Sequence, residues 1–338
     1  MQYRKLGQSR LEASVIGVGT WQSSGWMWGG SDRKEAIRAI QVSIDMGINL
    51  IDTAAVYGFG ESEKIVADAI RGRRDKVLIA TKCGLVWDAA PQDGEFFAAY
   101  DEQGQREDGY IRVYKYLAPA SIRKEVEGSL KRLGVETIDL YQTHKQEKST
   151  PIEDVMGELL KLKEEGKIRA IGVSNVSLPE LQEYCRAGVV DSDQEKYSML
   201  DREKEADLLP FCRDQQIAFL GFSPLANGVL TGKLEPDRVY EEGDHRRGSP
   251  RFAPPAVREV NCMLAEMLPI AEEHGVSVAQ LVIAWSFHQP GVTHVLAGVR
   301  REQQALENAG AGDVRLNAEE LARMAEIIAL FEGKIPKK

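Results

Sequence analysis

Cysteine is scarce in this chain of 338 residues, and what there is does not pair. Cys83, Cys185, Cys212 and Cys262 stand far apart, with no Cys-x-x-Cys and no Cys/His ligand spacing. That argues against a structural zinc site or a disulfide framework and predicts four buried thiols in a reducing compartment. Long apolar runs are missing too: no stretch approaches the roughly 18 residues of a membrane span. The polar start, Met1-Gln2-Tyr3-Arg4-Lys5-Leu6-Gly7, has no apolar signal core. Nor is there an excess of basic residues; the formal net charge of -9 speaks against a nucleic-acid surface beyond a local patch. The expectation is a cytoplasmic protein with a small-molecule ligand, no metal, no nucleic-acid or membrane partner, and room for a homo-oligomer.

Phosphate-loop signatures are also lacking. Gly17-Val18-Gly19 has no third glycine and runs into Thr20-Trp21 rather than a helix, so a Rossmann fingerprint is absent. Gly228-Val229-Leu230-Thr231-Gly232-Lys233 has three residues between its glycines, and no Ser/Thr follows the lysine, so it is not a P-loop. Such a Gly/Lys stretch can still offer backbone N–H groups and a cation to a pyrophosphate.

What is present is alternation. Continuous apolar runs, the mark of parallel strands buried on both faces, lie at Val15–Gly17, Asn49–Asp52, Val77–Lys82, Ile138–Thr143, Ile168–Val173, Asp191–Lys196, Ile217–Phe222 and His294–Ala297. Helical patterns separate them: one opened by a Ser31 cap, then Ser62–Ile70, Ala120–Leu133, Ile152–Glu165, Pro179–Ala187, Lys204–Gln215, Val278–Phe287 and Glu302–Asn308. Eight such units predict an α/β fold, a (β/α)8 TIM barrel, as one domain over residues 1–338. Gln2–Ser14 reads as a β-hairpin capping the barrel floor, and Ala318–Phe331 as an extra C-terminal helix. Residues 83–117 and 224–254 are two long loops on the strand C-terminal face; their aromatics point to lids or pocket walls.

Reactive side chains gather at three consecutive strand ends. Asp52 ends one run and Tyr57 follows it on a glycine-rich turn; Lys82 ends the next, and His144 the third. In a parallel α/β protein those ends share the face that carries the active site. Each residue alone is more often structural, but four together shift the reading to catalysis. A free phenol is too weak an acid at neutral pH. A neighbouring ammonium lowers its pKa, a carboxylate keeps the ammonium charged, and a histidine can donate to a carbonyl oxygen. No side chain donates hydride, so a nicotinamide is implied.

With those residues in place, the chain resembles the aldo-keto reductases from about Tyr3 to Phe331. The matching stretches are Gly17-Val18-Gly19-Thr20-Trp21, Asp52-Thr53-Ala54 with Tyr57-Gly58 and Glu61, and Ala80-Thr81-Lys82. Further on come Ser129-Leu130-x-Arg132-Leu133, Asp139-Leu140-Tyr141-Gln142-x-His144 and Gly166-Lys167-Ile168-Arg169-x-Ile171-Gly172-Val173-Ser174-Asn175. Ser223-Pro224-Leu225, Gly228-x-Leu230-Thr231-Gly232-Lys233 and Glu307-Asn308 complete the pattern. Its loops are similar to the bacterial general-stress and inositol-operon branch, related to the potassium-channel β-subunits.

The resemblance implies an oxidoreductase moving hydride between NADP(H), in preference to NAD(H), and the carbonyl or alcohol of an aldehyde, ketone or sugar-like substrate. Tyr57 would be the proton donor, with Asp52, Lys82 and His144 completing the catalytic set. Gly19, Thr20, Trp21 and Asp52 would border the cofactor. Ser174, Asn175 and Gln194 would hold the nicotinamide carboxamide, and Phe222 would stack on the ring in place of the usual tyrosine. Ser223, Leu225, Gly228, Leu230 and Lys233 would wrap the pyrophosphate; Gly298, Arg300, Gln304, Glu307 and Asn308 would hold the adenosine end. Trp21, Tyr57, Trp87, His144 and Lys145 would line the substrate pocket.

Two departures from the family pattern bear on specificity. Lys145-Gln146-Glu147 replaces the usual residues after the histidine, beside the substrate pocket. Gln304 stands where NADPH-specific relatives often have arginine, leaving Arg300 or Arg301 as the cation for a 2′-phosphate. A cofactor-sensing module of the channel β-subunit type is the competing function. A barrel lyase or isomerase using Tyr57 and Lys82 is a third and would need no nicotinamide.

Overall fold

An antiparallel hairpin, β1 (Tyr3–Lys5) and β2 (Glu12–Ser14), opens the chain. The computed structural model describes residues 1–88, 91, 94–100 and 109–337. The hairpin turns at Gly7, whose φ of +60° and backbone approach to Asp191 leave no room for a Cβ. Leu6, Leu11 and Ala13 drop from it into the barrel floor, as expected of a cap, against Leu50, Ala80, Leu140 and Ala170.

Eight parallel strands then close a barrel: β3 (Ile16–Gly19), β4 (Leu50–Asp52), β5 (Leu78–Cys83), β9 (Ile138–Thr143), β10 (Ile168–Ser174), β11 (Ser192–Lys196), β12 (Ala218–Phe222) and β13 (Val292–Gly298). Between β5 and β9, inside the first long loop, lies an antiparallel flap of β6 (Leu85–Val86), β7 (Phe96–Tyr100) and β8 (Tyr110–Lys115). Strand alternation divides the core into two layers. Leu50, Ala80, Leu140, Ala170, Leu220 and Leu296 fill the interior, while Ile51, Ile79, Tyr141, Ile171, Phe219 and Val295 pack outward under the helices.

The helices are α1 (Arg33–Asp45), α2 (Glu61–Ala69), α3 (Pro119–Leu133), α4 (Ile152–Glu164), α5 (Leu178–Ala187), α6 (Leu208–Asp214), α7 (Pro254–Glu273), α8 (Val278–His288), α9 (Glu302–Ala311) and α10 (Ala318–Leu330). α9 packs on α1 and closes the ring. None of the described helices is long and apolar enough to cross a membrane.

Several expectations need correction. The cap of α1 is Asp32, whose carboxylate accepts the Glu35 N–H at 2.9 Å, and not Ser31 one residue earlier. The stretch expected as one helix over Lys204–Gln215 is a 3-10 turn, Glu203–Glu205, followed by α6, which Asp207 caps from a non-helical φ of −140°. The twenty-residue α7 was not anticipated at all. It also decides the cysteines: Cys83 and Cys212 are buried and Cys185 is half-buried, but Cys262 is exposed on α7. Of the expected lid over residues 83–117, positions 89–90, 92–93 and 101–108 lie outside the described residues.

Candidate active site

β4, β5 and β9 end side by side and deliver the four candidate catalytic groups to one spot. Lys82, only 1% exposed, points into the barrel and places its Nζ 2.9 and 2.8 Å from the two Asp52 oxygens and 2.9 Å from the Thr53 carbonyl. Gln194 Nε2 donates to Asp52 Oδ1 at 2.8 Å, and Gln142 Nε2 lies 3.4 Å from the same oxygen. Tyr57 stands on the turn after β4, which Gly58, Phe59 and Gly60 bend with left-handed φ values of 59°, 54° and 96°. Its ring centre is 5.3 Å from Lys82 Nζ and 5.6 Å from the His144 ring, which meets it edge-on at 84°. The backbone N–H of His144 donates to the Cys83 carbonyl at 2.8 Å, which fixes its main chain at the end of β9.

Burial is the largest influence on the Tyr57 phenol and pushes its pKa up; Lys82 pulls it back, Asp52 opposes that pull, and the net direction is upward. The expected net lowering is therefore not found, because burial of the phenol outweighs the pull of Lys82, part of which Asp52 also offsets. Burial also pulls Lys82 down, but Asp52 and Tyr57 outweigh it and hold the ammonium above its ordinary value. The His144 ring is kept well below its ordinary value by burial, then by Lys82 and Lys145, so it is neutral at physiological pH. This set combines a protonated phenol, a fixed cation behind it and a neutral imidazole beside it. It can polarise an oxygen and give it a proton.

The groups open on a cavity of about 440 Å³ across the C-terminal face of the barrel. Gly19, Thr20, Trp21, Asp52, Tyr57, His144, Ser174, Asn175, Gln194 and Phe222 line its inner part. Ser223, Leu225, Gly228, Gly298, Arg300 and Gln304 continue the lining outward. Asn175, held at φ 56°, donates its amide to the His144 carbonyl and to Ser174 Oγ at 3.0 and 2.9 Å, which turns its oxygen free as an acceptor. From Ser223 to Gly228 the chain takes left-handed φ at four positions as it curves along the cavity. The donor set thus fits an amide-bearing ring at the inner end and an anionic tail outside it.

Other expected contacts are not lining residues. The Leu230 side chain is wholly buried in the outer core, so only its backbone could serve a ligand. Lys233 and Glu307, expected at pyrophosphate and adenosine, pair with each other at 2.7 and 2.8 Å. Asn308 is spent on the Gly298 carbonyl at 3.2 Å. Trp87 packs on Phe59, 5.5 Å between rings, behind the wall, and Lys145 points to solvent. Lys82 lies behind the cavity, reaching it through Asp52 and Tyr57.

Phe97 reaches into the cavity from the flap, as expected of an aromatic in the first long loop; Gln22, Trp26, Met27 and Trp28, which follow β3, are further walls that were not anticipated. Arg246 stacks 4.8 Å from both the Trp28 and Tyr240 rings while Asp244 grips its guanidinium. The Trp26-x-Trp28 doublet was a readable signal; Arg246, deep in a long loop, gave none.

Comparison with known proteins agrees with this geometry. Residues 15–329 match the model of the aldo/keto reductase family. The chain belongs to that family. It is 38% identical over 333 residues to the NADH-specific methylglyoxal reductase of Escherichia coli (strain K12), covering 97% of this chain and 98% of the relative. It is 37% identical over 307 residues to aldo-keto reductase YhdN of Bacillus subtilis (strain 168), covering 90% and 86%. Among solved structures, the glycerol dehydrogenase AKR11B4 from Gluconobacter oxydans superposes with a TM-score of 0.85 at 36% identity, covering 99% of this chain and 96% of that one. As an aldo-keto reductase the chain is a nicotinamide-dependent oxidoreductase.

Proposed function

We propose that this aldo-keto reductase reduces the carbonyl of a small aldehyde, ketone or sugar-like substrate with NADP(H), and runs in reverse as an alcohol dehydrogenase. One observation carries the reading: the Tyr57 ring lies 5.3 Å from Lys82 Nζ and 5.6 Å from the His144 ring, at the inner end of the cavity. Tyr57, held protonated by burial, gives its proton to the substrate oxygen. Lys82, kept charged by Asp52, stabilises the phenolate left behind. Neutral His144 donates a ring N–H to the same oxygen and orients it. A bound nicotinamide supplies the hydride that no side chain can.

The cofactor would lie along the lining residues. Asn175, Ser174 and Gln194 offer polar atoms to the carboxamide, Phe222 a ring face, and Ser223–Gly228 their backbone to the pyrophosphate. Lys233 and Glu307 would act there only after their ion pair opens or shifts. Arg300 supports NADPH over NADH. Its guanidinium donates to the Trp28 and Gly30 carbonyls at 3.4 and 3.3 Å, and among the described residues no carboxylate forms an ion pair with it. Burial lowers its pKa most; of the charges around it, Arg246, Arg301 and Arg238 push the same way and Asp244 opposes them, so negative charge is in the minority there. A 2′-phosphate would supply that charge.

The relatives named for methylglyoxal and glycerol both act on small oxygen-rich molecules, which suits a pocket walled by Trp21, Trp26 and Trp28 around one polar corner. The test is absorbance of the reduced nicotinamide with NADPH or NADH and methylglyoxal, simple aldehydes, ketones and sugars, and with glycerol and NADP in reverse. Turnover without any protein partner supports the reading. Cofactor binding with no turnover on any of these would favour a sensing module instead.

A further inference from the structure

Tyr57 and Lys82 belong to different elements, a loop turn and a strand, so something must set the distance between them. The first turn of α2 follows the Tyr57 turn directly and carries Glu63, which is fully buried. Its Oε1 accepts the Thr81 hydroxyl at 2.7 Å, and Thr81 is the residue before Lys82 on β5. Its Oε2 accepts Arg132 Nε at 2.6 Å, from α3. The Arg132 stem lies so close under Gly60, the last residue of the Tyr57 turn, that a Cβ there would meet its Cδ at 2.7 Å. Arg132 is also tied to Ser129 Oγ at 3.3 Å. One carboxylate therefore ties the Tyr57 turn, the Lys82 strand and α3 together.

A buried ion pair adds little net stability over a well-packed apolar replacement; its best-attested use is fixing register. Here the register it fixes is that between two elements carrying reactive groups. We propose that Glu63 is a positioning residue that holds the Tyr57 turn at a set distance from Lys82, through Thr81 on one side and Arg132 on the other. The inference rests on the catalytic reading of Tyr57 given above. Tyr57 and Lys82 act through space, so a small change in their spacing weakens the cation behind the phenol without disturbing the cofactor's contacts. A misplacement on the order of 1 Å costs about a hundredfold in rate.

Removing Glu63 outright risks misfolding, so the test uses Thr81→Val, which keeps the shape of the side chain and deletes only the hydroxyl. With a turned-over aldehyde and NADP(H), Thr81→Val should lower kcat by roughly ten- to a hundredfold while KM and cofactor Kd stay within about twofold. Thr81→Ser, which restores the hydroxyl, should recover most of the loss. In a Tyr57→Phe background the Thr81→Val effect should vanish, because the distance it disturbs no longer matters. An unchanged kcat in Thr81→Val, or the same loss with and without Tyr57, would overturn the positioning role. Failure of the catalytic reading looks different: Tyr57→Phe would then retain wild-type kcat by itself.

Discussion

Lys82 and Asp52 form an ion pair sealed from solvent, with Nζ 2.9 and 2.8 Å from the carboxylate oxygens and the two side chains 1% and 6% exposed. Breaking such a pair from one side leaves a buried charge uncompensated, at a cost of about 3–5 kcal/mol. Asp52→Asn should therefore lower stability by that order in chemical denaturation and also reduce turnover, since Lys82 loses what keeps it charged. Lys82→Met breaks the same pair from the other side and leaves the Asp52 carboxylate buried without its cation, so it should cost stability of the same order and damage kcat as severely as loss of Tyr57. Equal stability of Asp52→Asn and wild type would contradict the pair's role.

Arg300→Ala should weaken NADPH binding by about ten- to a hundredfold, the worth of a charge-assisted hydrogen bond, and leave NADH nearly unchanged. Fluorescence titration with both cofactors checks this. Equal Kd values for NADPH and NADH in the wild type, unchanged in the variant, would remove Arg300 from the 2′-phosphate site.

The loop around Arg246 bridges to the loop after β3 over the cavity: His245 N and Nδ1 both reach the Met27 carbonyl, at 3.1 and 2.8 Å, beside the Arg246–Trp28 stack. Hydrogen exchange of residues 240–249, and of the flap strands β7 and β8, should slow when NADP(H) and substrate bind. Each cation–π contact is worth about 0.5–2 kcal/mol, so Arg246→Ala should speed cofactor release roughly three- to thirtyfold in stopped flow. Identical exchange in free and bound protein would rule out closure.

His294 sets an acid limit on stability. It is fully buried on β13, its Nδ1 donating to the Ser14 carbonyl at 3.1 Å, and burial pulls its pKa from 6.5 down to about 4. The unfolded chain therefore binds more protons than the native one between those values. The stability this histidine contributes is present above its unfolded pKa and falls away as pH drops toward 4, by roughly 3 kcal/mol in all. His294→Leu should flatten that part of the pH–stability curve; an unchanged slope would assign it to other groups.

Much of this architecture was legible because barrel strands advertise themselves. Ile138–Thr143 is buried at every position, and a run with no polar face is what a doubly covered parallel strand requires. Asp52, Tyr57, Lys82 and His144 were legible for the same reason: strand ends place them. The helix α7 was hidden by its own prolines. Pro254 and Pro255 read as a loop's end although they suit a helix's first turn, and Pro269 interrupts the pattern. Val257, Val260, Met263, Leu264, Met267 and Ile270, buried at helical spacing, were the missed signal. The flap left a smaller trace in Ile111 and Val113, buried in alternation with exposed Tyr110 and Arg112. The Lys233–Glu307 pair and the stacking of Arg246 on Trp28 join residues far apart in sequence, and no local pattern encodes such contacts.

The central claim is that Tyr57 delivers the proton, and Tyr57→Phe tests it most directly. The substitution keeps the ring against His144 and Trp21 and removes only the hydroxyl. General acid catalysis contributes about a hundred- to ten-thousandfold, so steady-state kcat on a carbonyl substrate should fall within that range. Binding of NADP(H) should change by less than about 1 kcal/mol, since the phenol does not hold the dinucleotide. A variant that keeps more than about a tenth of wild-type kcat would contradict the account. Tyr57 would then be a wall of the pocket, and the acid would have to be His144.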